Sequence, residues 1–211
     1  TGRRPNGFYI PRFRNIDKNS KKVNFLRGYG YQGGASRTYW SESVAELSYG
    51  RDFKDKITQA GDWRIGMGGF GEVLPYHENK MTLNYNKLDQ FGLPKITLDA
   101  EFKENEKKMK EDWKIQAAEM LEATGFRDVT INDSNAPIGK GIHEMGTARM
   151  GHDPKTSVLN KFNQIHAVKN VFVTDGACMT SAANQNPSLT YMALTARAVN
   201  HAVKELKRMN F

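Results

Sequence analysis

Two stretches in the last third of the chain carry residues whose types and spacing suit chemistry. The first, from residue 141 to residue 151, places His143 in a run of glycines and other small or polar residues. Histidine is the side chain best suited to exchange a proton near neutral pH, and Gly146 allows the backbone to approach a ligand closely. The stretch therefore predicts a proton-accepting site at His143, although a lone histidine is more often a structural hydrogen-bonding residue.

The second stretch is predicted to be a buried strand that ends at Asp175 and Gly176, followed by a helix. A carboxylate at the carboxyl end of a strand is where nucleotide hydroxyls are bound in many α/β cofactor folds. Asn186 precedes Pro187, and a proline in the first helical position predicts that Asn186 is the N-cap. Because a helix N-terminus also offers unpaired N–H groups and partial positive charge, the same position favours contact with an anionic ligand.

Other motifs in the chain lack the context that their chemistry needs. Residues 66–71 fit the pattern G-x-G-x-x-G, but residues 72–75 follow where a helix should begin, which predicts a glycine-rich strand or bulge and not a dinucleotide site. A zinc-protease helix would need a second histidine four residues after His143, where Thr147 stands. The five histidines show no ligand spacing and Cys178 is the single cysteine, so we predict no metal site and no internal disulfide.

The hydrophobic pattern predicts the elements that must hold the two stretches in place. Residues 101–125 carry apolar side chains at helical spacing, and a final helix is predicted from residue 187 to about residue 209. Several strands packed with two long helices predict an α+β fold with a mostly antiparallel sheet. The aromatic stretch from Phe25 to Trp40 fits either a substrate-pocket wall or core. Strands are predicted at residues 7–14, 25–34, 63–74, 81–85, 95–102, 128–132 and 171–174.

The charge distribution leaves one alternative to an enzyme open. The chain has 211 residues and a formal net charge of +8, and residues 3–27 hold eight basic residues against the single acid Asp17. A basic interaction module that binds acidic partners without catalysis is this alternative. The basic and aromatic residues follow no recognised nucleic-acid module, so we predict no nucleic-acid partner. No apolar run has the length of a membrane span.

The order of the motifs resembles the C-terminal part of glucose–methanol–choline (GMC) FAD-dependent oxidoreductases, in particular gluconate or sugar dehydrogenases and pyranose oxidase. The resemblance covers about residues 71–207. It rests on the sequences of residues 143–151, 171–176 and 186–190, and on residues 72–75, 79 and 81–83 upstream of them. It implies an N-terminally truncated substrate-binding domain at residues 1–140. Residues 141–211 would add the catalytic motif and the last strand and helix of an incomplete FAD-binding domain.

The resemblance implies an enzyme that oxidises the CH–OH group of an alcohol, a sugar or a sugar acid by hydride transfer to flavin N5. His143 matches the family histidine that accepts the hydroxyl proton, and Asn186 matches the second active-site position, which hydrogen-bonds the substrate oxygen. The implied cofactor contacts lie at the ribityl–pyrophosphate part and at the pyrimidine ring of FAD. Asp175 and Gly176 would contact the ribityl–pyrophosphate part. Pro187 and Ser188 would contact the pyrimidine ring.

The sequence departs from the family at its beginning, since it has neither the dinucleotide-binding βαβ unit nor its glycine motif. We therefore expect a fragment that is inactive by itself and binds FAD weakly or not at all. Its expected partner is the missing N-terminal FAD-binding half. The electron acceptor is open between oxygen, a quinone and a cytochrome, with a non-oxygen acceptor favoured. The compartment is open between periplasm and cytoplasm, with the periplasm favoured.

Overall fold

The structure is a computed structural model that describes residues 7–20, 22–38, 50–58, 61–133, 137–140 and 142–210. These residues form an α+β fold with antiparallel sheets, as the hydrophobic pattern predicts. A short 3-10 helix covers Gly176–Cys178. The other elements are β1 (Gly7–Ile10), β2 (Tyr29–Arg37), α1 (Arg51–Thr58), β3 (Trp63–Gly71), β4 (Lys80–Leu88), β5 (Pro94–Asp99), α2 (Glu104–Ala123) and α3 (Ser188–Lys207).

The chain divides into two compact units. One comprises residues 1–71 and 109–131, and the other comprises residues 72–108 and 132–211. The domain boundary predicted after residue 140 refers to the domains of a longer protein and stays a prediction. Among the described helices, none combines the length and the apolar character that crossing a membrane requires.

The first unit contains a three-stranded antiparallel sheet in the order β1–β2–β3. The glycines of β3 leave room for α2 to pack closely on it. A Cβ at Gly69 would lie 2.9 Å from the ring of Trp113, and a Cβ at Gly71 would lie 2.6 Å from the sulfur of Met109. Residues 66–71 are therefore a glycine-rich strand beside a helix, which confirms the prediction made from their sequence context.

An aromatic core joins the sheet to α2 within this unit. Phe25, Tyr29, Tyr31 and Met109 are buried together. Tyr29 and Tyr31 pack edge to face with ring centroids 5.6 Å apart, a geometry that stabilises aromatic pairs beyond the area they bury. Burial raises the pKa of both phenols. Of the two interpretations of the aromatic stretch, these residues support the core; Trp40 lies outside the described residues.

Two arginines of the basic segment at residues 3–27 make hydrogen bonds within the first unit. Arg14 Nε donates to Asp112 Oδ2 at 2.8 Å, and Arg14 Nη2 donates to Asp112 Oδ1 at 3.1 Å. Arg12 donates to two backbone carbonyl oxygens, at 2.9 and 2.6 Å. Both side chains therefore have structural partners, which weakens the interaction-module alternative. Residues 3–6 and residue 21 of this segment lie outside the described residues.

The second unit holds the β4–β5 hairpin and the C-terminal region, where buried loop residues support α3. Leu159 and Asn163 are fully buried. Asn163 Nδ2 donates to the carbonyl oxygen of Val173 at 3.0 Å, and Asn163 Oδ1 accepts from Arg197 Nη2 of α3 at 3.1 Å. This asparagine thus links the segment before the 3-10 helix to α3.

Two predicted strands are wrong. Residues 171–174 contain only an isolated bridge, between Phe172 and Gln164. The reason is that Asn163, and not a neighbouring strand, bonds both the N–H and the carbonyl of Val173. Residues 128–132 form no strand either, since Asp128 has a φ of 56°, which is incompatible with an extended chain.

Candidate active site

The segment that follows His143 is held against the 3-10 helix at residues 176–178. Two backbone N–H groups of residues 148–150 donate to carbonyl oxygens of this helix, at 3.0 and 2.9 Å. The chain turns into this pairing at Gly146, whose φ of +87° lies in the left-handed region that favours glycine. His143 is half-buried three residues before the turn. The glycine-containing turn therefore fixes the backbone next to the predicted base.

Gly176 is the point where three segments meet. A Cβ at this position would lie 2.7 Å from the Tyr191 hydroxyl, 3.0 Å from the Met145 sulfur and 3.1 Å from the Glu144 carbonyl oxygen. Tyr191 lies at the start of α3, and its hydroxyl donates to the Met145 sulfur at 3.5 Å. The structure thus brings together the neighbours of His143, the predicted position Gly176 and the first turn of α3.

We expect Gly176→Ala to lower the free energy of unfolding of the second unit by about 1–3 kcal/mol, the usual effect of overfilling a packed interior. The side chains of Tyr191 and Met145 can rotate, but the Glu144 carbonyl is backbone and has to move, and His143 moves with it. Urea unfolding followed by circular dichroism measures the change. The control is Gly66→Ala, whose new Cβ has no described atom within 4 Å. An unfolding midpoint of Gly176→Ala equal to that of the parent chain would contradict the packing argument.

Asp175 caps the 3-10 helix and does not end a strand. Its Oδ1 accepts a hydrogen bond from the N–H of Ala177 at 2.9 Å, and the residue is exposed. The capping bond orients the carboxylate next to Gly176. Its role as a cofactor contact, like that of Gly176, stays a prediction.

The start of α3 differs by one residue from the prediction. Pro187 is the N-cap, with a φ of −92° and a ψ of 3°, and it makes no side-chain capping bond. The prediction that Asn186 is the cap is therefore wrong, because the chain enters the helix one residue later. Pro187 has no side-chain acceptor to offer to the N–H groups of the first turn, which begins at Ser188. The active-site role predicted for Asn186 is untouched by this correction and stays a prediction.

A buried amide precedes this helix end. Asn184 is 8% exposed, and its Nδ2 atom has no hydrogen-bond partner among the described residues. A buried donor without a partner costs about 1–3 kcal/mol, and native proteins leave few of them. Sequence reasoning missed Asn184 because an asparagine in a polar loop gives no signal of burial.

The other proton-bearing groups beside Gly176 are held in their neutral forms. Burial raises the pKa of the Tyr191 hydroxyl, and the Asp175 carboxylate adds to the rise. Burial also raises the pKa of the Cys178 thiol. Neither group is suited to accept a proton near neutral pH, whereas an imidazole is. Within the described part of the chain, no cluster of three or more His, Cys, Asp or Glu side chains could hold a metal ion.

Known proteins match the region that contains both stretches. The family model of GMC oxidoreductase matches residues 75–195. The chain is 32% identical over 198 residues to 2-methyl-1,2-propanediol dehydrogenase of Mycolicibacterium austroafricanum, an alignment that covers 90% of this chain and 35% of that protein.

Two further relatives are similar over most of this chain. Identity is 25% over 199 residues to the fructose dehydrogenase large subunit of Gluconobacter japonicus, covering 94% of this chain and 36% of that protein. Identity to the gluconate 2-dehydrogenase flavoprotein of Pantoea cypripedii is 26% over 192 residues, an alignment that covers 82% of this chain and 31% of that protein. The chain thus spans about a third of the length of these relatives.

Proposed function

Because the chain belongs to the GMC oxidoreductase family, we propose that it carries the proton-accepting side of an active site that oxidises a CH–OH group. The observation that carries the proposal is the packing of the His143 segment against Gly176 and the first turn of α3. The three relatives are named for a diol, a sugar and a sugar acid. These names support an alcohol, a sugar or a sugar acid as the substrate.

The residues around the start of α3 fit FAD, the cofactor of the family in general. The N-cap residue Pro187 makes no side-chain capping bond to the first turn, and Asn184 adds a buried amide nitrogen without a partner among the described residues. Such donors and the positive end of a helix dipole suit a group that bears carbonyl oxygens or negative charge. Pro187 and Ser188 would hold the pyrimidine end of the flavin, and Asp175 and Gly176 its ribityl–pyrophosphate part.

In the proposed reaction His143 takes the proton of the substrate hydroxyl. Loss of this proton raises the electron density on the carbinol carbon, so its hydrogen leaves more readily as hydride and a carbonyl product forms. FAD, when bound, supplies the hydride acceptor at N5. Asn186 hydrogen-bonds the substrate oxygen and keeps the hydroxyl directed at His143. Fixing the substrate and the base in this way gains rate through orientation.

Anaerobic reduction of bound flavin tests the proposed function. The polypeptide that carries this chain together with the FAD-binding part is mixed with 2-methyl-1,2-propanediol, fructose or gluconate. We expect at least one CH–OH donor to bleach the absorbance band of the oxidised flavin, and the corresponding carbonyl compound to leave it unchanged. A protein that holds FAD stoichiometrically and is bleached by no alcohol, sugar or sugar acid would contradict the function.

We also propose that the FAD-binding part of a longer polypeptide covers one face of α3. An apolar stripe runs along this 20-residue helix, and its members are spaced alternately by three and four residues, which keeps them on one face. The opposite side of the helix holds the buried Ala198. The relatives are about three times as long as this chain, which supports such a cover. The exposed stripe consists of Leu189, Met192, Ala196, Val199, Val203 and Leu206.

We expect Val199→Glu to destabilise the longer polypeptide by about 1–3 kcal/mol, because the carboxylate would be buried without a partner. In the 211-residue chain the same change is expected to have little effect, since Val199 is 53% exposed there. Urea unfolding of both proteins measures the difference. Lys204→Glu is the control, because Lys204 is exposed and lies on a different side of the helix from the stripe. A loss of the same size in both proteins would argue against a covering segment.

A further inference from the structure

Asn184 Nδ2 stands out among the buried polar atoms because the described residues offer it no acceptor. The residue is 8% exposed, so bulk solvent does not replace the missing partner. Asn163 shows the opposite behaviour in the same unit: its Nδ2 donates to Val173 at 3.0 Å, and its Oδ1 accepts from Arg197. The unit therefore provides hydrogen-bond partners for one buried amide, whereas the Nδ2 atom of Asn184 still has hydrogen bonds to donate.

The position of Asn184 connects this donor with a second one. Asn184 lies three residues before Pro187, the N-cap of α3, and the Pro187 side chain makes no capping bond to the N–H groups of the first turn. The two observations are independent, since one concerns a loop side chain and the other the backbone of a 20-residue helix. Both describe hydrogen-bond donors at the same end of α3.

The chemistry of the amide limits what it can bind. Nδ2 of asparagine donates two hydrogen bonds and accepts none, so its partner must be an acceptor and not a cation. The positive end of the helix dipole favours the same kind of group. A carbonyl oxygen or an unprotonated ring nitrogen meets both conditions. The pyrimidine ring of a flavin has acceptors of both kinds.

We propose that Asn184 contacts the cofactor, with its Nδ2 donating a hydrogen bond to an acceptor atom of the flavin pyrimidine ring at the N-terminus of α3. This inference rests on the proposed function, because it requires FAD to be the bound group. Hydrogen bonds to charged acceptors are roughly twice as strong as those between neutral groups. The reduced flavin carries negative charge on this ring, so Asn184 favours the reduced form over the oxidised form.

The first test uses the apo form of the full polypeptide and does not require activity. Leucine has nearly the shape of asparagine without its polar atoms, so Asn184→Leu removes a buried donor that has no acceptor. We expect this variant to raise the urea midpoint of the apo-protein. Asn163→Leu is the matched control. It is expected to lower the midpoint, because the Asn163 amide has protein partners on both sides.

The second test adds FAD. Here we expect Asn184→Leu to be unfavourable, in contrast to its stabilising effect on the apo-protein. Asn184→Leu should raise the dissociation constant of FAD about 10-fold to 100-fold, the range for losing a hydrogen bond to a charged or buried acceptor. The flavin midpoint potential should fall, because the reduced form loses more stabilisation. Asn184→Asp keeps the side-chain shape but replaces the donor with a carboxylate, so it should weaken FAD binding at least as much.

The outcomes separate this inference from the proposed function. An Asn184→Leu apo-protein that is destabilised as much as Asn163→Leu would show that the amide has a protein partner, which overturns the inference. An unchanged FAD dissociation constant and potential in both Asn184 variants would overturn it as well. If the parent polypeptide takes up no FAD, the proposed function fails and this inference fails with it. In that case the apo-protein would still be stabilised by Asn184→Leu, so the two failures are distinguishable.

Discussion

Replacing His143 with alanine in the FAD-loaded polypeptide is expected to slow reduction of the flavin by substrate about 10²-fold to 10⁴-fold, the usual contribution of a positioned general base. The alcohol then has to lose its hydroxyl proton to water, so less electron density reaches the carbinol carbon. FAD should stay bound, because the turn at Gly146 and the contacts of Gly176 do not involve the imidazole. Stopped-flow absorbance of the flavin under anaerobic conditions measures the rate.

His152 provides the matched control for this experiment. It is exposed and lies nine residues after His143, outside the turn that is held against the 3-10 helix. We expect His152→Ala to reduce the flavin at the parental rate. If His143→Ala also keeps the parental rate, the proton acceptor is another group, and the role assigned to His143 is wrong.

The chemistry-bearing residues could be proposed from the sequence because their motifs are local. His143 is followed closely by glycine, and Asn186 stands directly before a proline, so each motif is complete within a few residues. Residues 66–71 were assigned correctly for the same reason, since the absence of a following helix is visible in residues 72–75. In each case the neighbouring residues contain the information that decides the structure.

The features that the sequence did not predict depend on residues distant in the chain. Residues 171–174 have the composition of a strand, but the side-chain amide and the backbone carbonyl of Asn163 provide the two hydrogen bonds to Val173 that a second strand would have given. The importance of Asn184 is that its amide is buried without an acceptor among the described residues. Burial and pairing are properties of the folded chain, and a polar loop sequence contains no trace of them.

The ion pair in the first unit leads to the largest expected change in stability. We expect Asp112→Ala to lower the free energy of unfolding of this unit by about 3 kcal/mol, the lower end of the range for breaking a buried pair. The carboxylate accepts two hydrogen bonds from Arg14 and a third from the Tyr29 hydroxyl. Since the Arg14 side chain is 10% exposed, the substitution leaves its charge without a partner and largely without water.

Urea unfolding followed by tryptophan fluorescence reports on this unit, because Trp63 and Trp113, the neighbour of Asp112 on α2, both belong to it. The control is Glu111→Ala, because Glu111 is 66% exposed and pairs with Lys114 on the same helix. The Lys114 side chain is 18% exposed, but an i, i+3 ion pair within one helix whose carboxylate is in water contributes less than about 1 kcal/mol. The double variant Arg14→Met/Asp112→Leu should recover part of the lost stability, because it removes both charges and keeps the volume filled, while the buried Tyr29 hydroxyl still lacks its acceptor. A double variant as unstable as Asp112→Ala would mean that lost packing or the unpaired Tyr29 hydroxyl, and not the unpaired charge of Arg14, causes the destabilisation.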